Sequence, residues 1–297
     1  MPGKTRVIKR RMKAVSNIKR ITDTMRMIAT ARFQKLQKRA VSAQDYTKKI
    51  AQVVGELSAS AASGSGASHP LLAPPAKPAG RQLLLVITSN RGLCGAYNAN
   101  VLRAATAFLK DQGETDLELI GKKGLAYFRF TGRSVSAHHS EFGDTPEYTQ
   151  CERLADRYMT EFIDGKFDAV WVDYMAFHSA SRQSPELVRL LPLEKPSEPA
   201  DIDTTRPTTN WTSDYEFAPD PEELLSELLP ITVKTRLYQC VNESVVSEQL
   251  ARMVAMKAAT DAAGKMSKEL TRRFNRARQT AITTELSEII GGAAALG

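Results

Sequence analysis

Long amphipathic stretches form both ends of the chain, and its middle alternates short apolar runs with helical patterns. The first stretch extends from about Thr5 to Ala59 and the second from about Glu222 to Leu296, interrupted only by Pro230. Apolar residues spaced three and four apart in such segments predict long helices. If the first segment is helical throughout, its ~55 residues span on the order of 80 Å, which is too long for a globular core.

The same spacing predicts a coiled-coil seam on each terminal helix. On the first helix the phase slips by one residue between Ile28 and Phe33, which is the pattern of a stutter. The seam predicted for the first helix comprises Ile18, Ile21, Met25, Ile28, Phe33, Leu36, Ala40, Ala43, Thr47, Ile50, Val54 and Leu57. The seam predicted for the last helix comprises Val246, Leu250, Met253, Ala263, Met266, Leu270, Phe274, Ala277, Ala281, Ile282, Leu286, Ile289 and Ala293.

The two terminal helices are expected to pair antiparallel within one chain. The first helix is rich in Lys and Arg and has little acid of its own, so the other end of the same chain is its natural partner. The expected register brings together Leu270, Phe274 and Ala277 with Ile21, Met25 and Ile28. A two-stranded rod follows from this pairing.

A central α/β domain is predicted between the two helices. Gln82–Thr88 and Phe167–Tyr174 are nearly continuous apolar runs, as in strands buried on both faces, and Leu117–Ile120 is a shorter one. Helical patterns over Ala99–Lys110 and Glu147–Ile163 separate them. The fold class is therefore α/β, with a long antiparallel two-helix coiled coil from the N- and C-termini and a central, open, mainly parallel α/β domain.

Two loops rich in small residues and proline mark the expected domain boundaries. Ser58–Gly80 has the composition of a linker, and Glu194–Asn210 is a polar Pro/Thr-rich loop. The expected division is an N-terminal coiled-coil helix at 1–60, a linker at 61–80, the central domain at 81–210 and a C-terminal coiled-coil helix at 211–297.

Charge is concentrated in the first helix. The chain has a net charge of +8, but residues 1–50 contain fifteen Lys and Arg against Asp23 and Asp45. Such a surface suits nucleic acid, anionic lipid or an acidic protein cavity, and it is also what an ordinary solvated helix face presents. Cys94, Cys151 and Cys240 are widely spaced, so neither a disulfide framework nor a zinc site is indicated.

A glycine-bearing turn, Ser89–Asn98, follows the first predicted strand, where many α/β proteins bind phosphate. It contains no phosphate-binding motif, and no acidic residue follows at the distance needed for a ribose. Cys94 is a conceivable nucleophile, but the nearest candidate bases, His138 and His139, are adjacent in an expected polar turn. The pattern favours a structural turn and argues against catalysis and against a cofactor or metal site.

Four segments carry a resemblance to a known family. They are Ile18–Ala29, Arg91–Gly95, Ser247–Asp261 and Asn275–Ile290, the last followed by Gly292-Ala293-Ala294. Together and in this order they resemble the gamma subunit of F-type ATP synthase. The resemblance implies a rotor shaft that couples ion flow to ATP synthesis or hydrolysis and holds no catalytic site or cofactor.

The resemblance also implies partners and a location. The partners are three alpha and three beta subunits, an epsilon subunit and the membrane c-ring, and the shaft is peripheral to the membrane. Because the family's first helix begins within a few residues of Met1, no organelle transit peptide is expected, and the cytoplasmic face of a bacterial inner membrane is the expected location. A basic helical nucleic-acid-binding protein is the alternative, although no aromatic stacking or recognised motif accompanies the charge.

Two groups of site residues follow from the resemblance. The coupling contacts to the catalytic hexamer are Met25, Arg252, Arg278, Gln279, Thr283 and Glu285. Gln279 and Thr283 share one helix face beside Arg278, so their polar groups project together. The expected contacts of the foot with the rotor ring are Tyr215, Glu216 and Asp220.

Overall fold

The computed structural model describes residues 2–64, 69–75, 78–193 and 221–294. Two long helices, α1 (Pro2–Gly64) and α5 (Pro221–Ala294), begin and end the described chain. Between them in sequence lie β1 (Arg81–Ile87), α2 (Tyr97–Asp111), β2 (Glu114–Ile120), α3 (Lys122–Phe130), β3 (Ala137–His139), α4 (Tyr148–Ile163), β4 (Ala169–Phe177) and β5 (Gln183–Leu191).

The chain divides into two compact units. Residues 1–32 and 251–297 form one, which we call the helical unit, and residues 33–250 form the other, the sheet unit. α1 begins in the helical unit, and it continues to Gly64, past the expected start of the linker at Ser58. The boundaries expected at 60, 80 and 210 remain a prediction.

The sheet unit contains one five-stranded sheet with the order β3-β2-β1-β4-β5. The first four strands are parallel, and β5 is antiparallel to β4. The open, mainly parallel sheet expected from the sequence is therefore confirmed. Three elements were not predicted: α3, the three-residue β3, and β5, whose polar residues and Pro185 weaken the apolar signal of a strand.

The apolar runs of the sequence become the centre of the sheet. All of Leu83–Ile87 is buried in β1, and β4 buries Val170 and Val172. α4 packs against this core through Tyr158 and Phe162, which are fully buried, and α5 adds a stripe at intervals of one helical turn. That stripe comprises Leu225, Leu229, Val233 and Leu237.

The backbone just after β1 lies close to the backbone of the turn between β2 and α3. The Thr88 amide donates to the Ile120 carbonyl at 2.8 Å, and the Thr88 hydroxyl accepts from the Gly124 amide at 2.9 Å. Gly121 lies against Thr88 with φ +95°. A side chain at residue 121 has no space, which is why glycine stands at the turn between β2 and α3.

The helical unit is an antiparallel pair with a regular seam. Its less exposed positions on α1 recur at heptad spacing, and Val15 and Ala29 are buried. No stutter interrupts this series within the described part of the unit. The seam positions on α1 are Ile8, Met12, Val15, Thr22 and Ala29. The seam positions on α5 are Met256, Thr260, Ala263, Ser267, Leu270, Phe274, Ala277 and Ala281.

The seam prediction was right for part of each helix and wrong for the rest. Ala263, Leu270, Phe274, Ala277 and Ala281 lie in the seam. Phe33, Leu36, Ala40 and Val54 are buried on α1 within the sheet unit, where Val54 belongs to the core that covers the sheet. Ile18, Ile21, Ile28, Met266, Ile282, Leu286 and Ile289 are instead 50–64% exposed. Ala29 and Ala263 lie in the contact, whereas Ile18, Ile21 and Ile28 face away from it. Ile282, Leu286 and Ile289 lie beyond the part of α5 that α1 covers.

The register of the pair also differs from expectation. The Thr260 hydroxyl donates to the Thr22 hydroxyl at 2.8 Å, and the Lys19 side chain lies 4.0 Å from where a Cβ of Gly264 would be. Leu270 shares a groove with Ala14 and Val15 rather than with Ile21, Met25 and Ile28. The observed register therefore differs from the expected one, because Thr260 and Gly264 of α5 face α1 near Thr22 and Lys19.

A cysteine pair placed at Thr22 and Thr260 is expected to form a disulfide within one chain. The two hydroxyl oxygens are 2.8 Å apart, so the two side chains meet across the helix pair, as the two sulfurs of a disulfide must. Thr24→Cys combined with Thr260→Cys is the matched control, because Thr24 is exposed and its hydroxyl donates to its own helix at Arg20. Non-reducing electrophoresis measures the outcome, and crosslinked dimers from the Thr22/Thr260 pair would contradict the intramolecular register.

Candidate functional site

The turn after β1 is held by its own side chains. The Ser89 amide donates to Asn98 Oδ1 at 3.0 Å, and Asn98 Nδ2 donates to Cys94 Sγ at 3.1 Å. Leu93 and Gly95 both adopt positive φ, and Cys94 is buried. The candidate nucleophile is thus a hydrogen-bond acceptor in a packed turn, as the structural interpretation of this segment requires.

The candidate bases lie in a strand, not in the expected polar turn. His138 and His139 belong to β3 at the edge of the sheet. His139 Nε2 is 2.8 Å from a carboxylate oxygen of buried Glu118, which also accepts from the Tyr158 hydroxyl at 2.7 Å and from Arg157. Burial acts to raise the pKa of Glu118, but these hydrogen bonds outweigh it and lower the pKa to about 2. His139 therefore serves to hold a structural carboxylate.

The crevice in which open α/β sheets bind ligands lies where the strand order reverses, here between β1 and β4 at their carboxyl ends. β4 extends beyond the last residue that pairs with β1, Asp173. Side chains of α5 bind the backbone of this extension. The Met175 amide donates to Ser244 Oγ at 3.2 Å, and Ser247 Oγ donates to the Met175 carbonyl at 3.2 Å. The chain's own helix therefore fills the position that a nucleotide takes in related sheets.

Asp173, the last residue of β4 that pairs with β1, is a buried ionisable group. Its side chain is fully buried, and among the described residues neither carboxylate oxygen has a hydrogen-bond partner. Burial raises the pKa of Asp173 to about 8, and the nearby backbone of Ala105 offsets this only in part. The carboxyl group is therefore largely protonated at neutral pH.

Asp173 is expected to make folding pH-dependent. Because its folded pKa is above the ordinary value of 3.8, its contribution to stability is fully present below pH 3.8 and is lost as the pH rises through about 8. The loss is on the order of 5 kcal/mol. Asp173→Asn does not ionise, so its free energy of unfolding should exceed that of the wild type at pH 9 and approach it near pH 4. Urea titrations at both pH values measure this, and parallel pH profiles would contradict it.

The helical unit carries the predicted coupling residues. Arg278, Gln279, Thr283 and Glu285 are all exposed near the end of α5. The Thr283 hydroxyl donates to the Gln279 carbonyl at 2.9 Å, which leaves its oxygen free to accept from a partner. The structure therefore brings Gln279 and Thr283 together on the surface, one helical turn apart.

The other predicted site residues are placed differently. Met25 is half-buried beside the seam, whereas Arg252 is 8% exposed. A buried arginine does not present its charge to a partner in the way that Arg278 does. Tyr215, Glu216 and Asp220 lie outside the described residues. The roles of all these residues remain predictions.

Both long helices carry exposed apolar residues outside the seam, which the sequence did not predict as a surface feature. Ile18, Ile21 and Ile28 line the outside of α1, and Ile282, Leu286 and Ile289 do so on α5, all at least half exposed. From Thr22 opposite Thr260, each step back along α1 matches one step forward along α5, so α1 from Pro2 onward does not cover residues beyond about 281. Exposed apolar stripes of this kind mark interaction surfaces. Their sequence signal is the same spacing of three and four residues that predicts the seam.

The helical unit is also strongly basic. It contains eighteen Lys and Arg against five Asp and Glu, so its charge of +13 leaves the sheet unit net acidic in a chain of net charge +8. Much of this charge is concentrated where the two helices face each other. Five basic residues occur between Arg6 and Lys13 on α1, and six occur between Lys265 and Arg278 on the facing part of α5, whose acidic residue is Glu269. This surface favours an acidic partner.

Neither a membrane span nor a metal site is found in the part of the chain that the structure describes. No helix there has both the length and the apolar character needed to cross a bilayer. No three His, Cys, Asp or Glu side chains in those residues are grouped as metal ligands would be.

Comparisons with known proteins give one consistent family. A family model described as ATP synthase matches residues 4–296. The chain is 40% identical over 295 residues to the ATP synthase gamma chain of Rhodopirellula baltica, with 98% of each covered. It is 38% identical over 298 residues to that of Heliobacterium modesticaldum, with 100% of each covered.

Solved structures show the same fold. A chain in the structure of the Euglena gracilis mitochondrial ATP synthase (OSCP/F1/c-ring, rotational state 3) has a TM-score of 0.68 at 17% identity, with 100% of this chain and 95% of that chain covered. A chain in the rotor of the same enzyme, in rotational state 1, has a TM-score of 0.63 at 16% identity, with 95% of this chain and 100% of that chain covered.

Proposed function

The chain belongs to the gamma chain family of ATP synthases, and from this premise we propose that it is the central rotor shaft of an F-type ATP synthase. In this role it couples ion flow through the membrane sector to ATP synthesis or hydrolysis in the catalytic hexamer. Its partners are three alpha and three beta subunits, the epsilon subunit and the c-ring. Rotation of the shaft changes which partner conformation is favoured, which is coupling by differential contact.

One observation carries the proposal: the helical unit is apolar on its outside as well as in its seam. A two-stranded rod in water would keep Ile18 and Ile21 in the seam and polar residues outside. Here they are more than half exposed while Ala29 and Ala263 make the contact. Such a rod is built to be surrounded by another protein. The hexamer of catalytic subunits supplies that surrounding surface.

Charge supports the same arrangement. The +13 helical unit attracts acidic surfaces of its partners, and the attraction is long-ranged enough to guide assembly. Rim charges mainly set the association rate and its salt dependence, whereas the apolar stripe provides lasting contact. Arg278, Gln279, Thr283 and Glu285 add polar contacts that only some rotor angles satisfy.

Catalysis belongs to the partners in this proposal. The filled crevice between β1 and β4 supports it, because Ser244 and Ser247 of α5 occupy the place where a phosphate would approach the sheet. The chain acts at the membrane as a peripheral protein. Its bacterial relatives support the cytoplasmic face of a bacterial inner membrane as the location.

We expect the purified chain to hydrolyse no ATP and to be required for cooperative multisite turnover by its alpha and beta subunits. The physical reason is that the shaft supplies differential contact rather than a nucleotide site. Steady-state ATP hydrolysis with and without the chain measures the effect. Robust hydrolysis by the chain alone, or undiminished cooperativity without it, would contradict the proposed function.

None of these observations favours nucleic-acid binding. A phosphate-binding surface would be basic without needing exposed isoleucines, whereas here both occur on the same helices. In an electrophoretic mobility shift assay at physiological salt, the chain is expected not to slow the migration of a nucleic-acid duplex.

A further inference from the structure

One segment of α5 is both fully buried and polar. All ten residues from 241 to 250 are buried, and six of them are polar: Asn242, Glu243, Ser244, Ser247, Glu248 and Gln249. Earlier turns of the same helix pack on the sheet mainly through leucine and valine, such as Leu229 and Val233, and bury only isolated threonines. Burying polar groups is unfavourable unless they form hydrogen bonds, so packing does not explain this composition.

The polar segment binds the free end of β4. Met175 is held on both sides, since its amide donates to Ser244 and its carbonyl accepts from Ser247, each at 3.2 Å. Two residues later the Phe177 amide donates to Glu243 Oε2 at 3.2 Å. Because β1 no longer pairs with β4 here, these are the partners that the β4 backbone requires.

Phe177 also meets the other long helix. Its ring packs edge to face with Phe33 of α1, with ring centroids 6.0 Å apart. Both long helices are therefore fixed to the same strand end, α5 by hydrogen bonds and α1 by an aromatic contact. We call Met175, Phe177, Glu243, Ser244 and Ser247 together with Phe33 the β4 anchor.

Hydrogen bonds constrain a helix differently from apolar packing. Leucine and valine ridges allow a helix to rotate or slide into a neighbouring groove, because apolar contact has no direction. Hydrogen bonds to a fixed strand lose their geometry after a small rotation. Glu243, Ser244 and Ser247 thus fix the rotation of α5 about its own axis.

We propose that the β4 anchor is where torque passes between the long helices and the α/β sheet. This inference rests on the proposed rotor function and adds positioning residues to it. When partners turn the helices, the directional bonds of Glu243, Ser244 and Ser247 oblige the sheet to turn with them. A chain that lacks these bonds still forms a shaft, but its helices twist against the sheet under load.

The test uses the complete ATP synthase in vesicles, with Ser244→Ala and Ser247→Ala combined. We expect assembly and ATP hydrolysis to stay within twofold of the wild type, while protons pumped per ATP fall at least threefold. Amide hydrogen exchange at Met175 and Phe177 should accelerate tenfold or more. Ser226→Ala is the matched control, because Ser226 is exposed on the same helix and donates only to its own backbone at Glu223.

A second pair of variants separates anchoring from simple destabilisation. Glu243→Gln keeps an acceptor for the Phe177 amide and should pump like the wild type, whereas Glu243→Leu should resemble the serine double variant. Equal pumping by Glu243→Leu and Glu243→Gln, or normal pumping by a double variant with accelerated exchange, would overturn the anchor proposal. If the wild-type chain itself fails to support ATP-driven pumping, the proposed function is wrong instead.

Discussion

Replacing Gly121 by alanine is expected to prevent stable folding of the sheet unit. Gly121 has φ +95°, and a Cβ there would lie 2.1 Å from the Thr88 carbonyl oxygen and 2.6 Å from its carbon. Both are backbone atoms of the segment that continues β1, so they cannot move without breaking the hydrogen bond between Thr88 and Ile120. The cost should exceed about 4 kcal/mol, in the range of the most damaging single substitutions. Urea denaturation followed by circular dichroism measures it.

Gly165→Ala is the matched control for this substitution. Gly165 also has a positive φ, +73°, but nothing lies within 4 Å of its would-be Cβ. Its cost should be about 1–2 kcal/mol, which is the backbone strain alone. Similar unfolding free energies for the two variants would show that the contact with Thr88 does not matter.

The second large effect is expected on coupling. Gln279→Leu combined with Thr283→Val should leave assembly near normal and lower multisite ATP hydrolysis and ATP-driven pumping severalfold or more. Each lost hydrogen bond to a charged partner shifts the relative energies of the rotor angles by about 1–3 kcal/mol. Both residues are exposed and one helical turn apart, so their removal does not disturb the seam. Hydrolysis and pumping rates of the purified, assembled complex measure the effect.

Thr271→Val controls for the loss of an exposed threonine on the same helix. Its hydroxyl donates to the Ser267 carbonyl at 3.0 Å, just as that of Thr283 donates to Gln279. It should therefore match the double variant in helix stability and the wild type in turnover. Wild-type pumping by the assembled double variant would contradict a coupling role for Gln279 and Thr283 and leave the family membership untouched.

Continuous apolar runs made the sheet predictable, but not its edges. β1 and β4 are buried on both faces, and their sequences are nearly continuous apolar runs. β3 has only three residues, and β5 carries Pro185 among several polar side chains, so neither gives a strong signal. Edge strands of a sheet are specified by what they pair with rather than by their own hydrophobicity.

The prediction of which residues form the seam was partly wrong for a physical reason. Hydrophobicity alone places Ile18 and Ile21 between the helices, because in an isolated rod they would be there. The helices instead approach through Val15, Ala29 and Ala263, which permit close packing, and the isoleucines face outward. A sequence pattern cannot tell a side chain buried by its own chain from one that another protein will bury. The coupling residues are equally invisible to periodicity, since Gln279 and Thr283 look like ordinary surface residues, and only the resemblance singled them out.

The exposed apolar residues near the end of α5 also have a consequence for how much of this subunit a cell can produce. Ile282, Leu286, Ile289 and Ile290 are all more than half exposed in the free chain, and they repeat along one helix. Unassembled copies would associate through this stripe, since contiguous exposed apolar surface is an aggregation hazard. Production in excess of its partners should therefore yield insoluble or rapidly degraded protein, so the supply of the subunit has to match that of the hexamer that shields it.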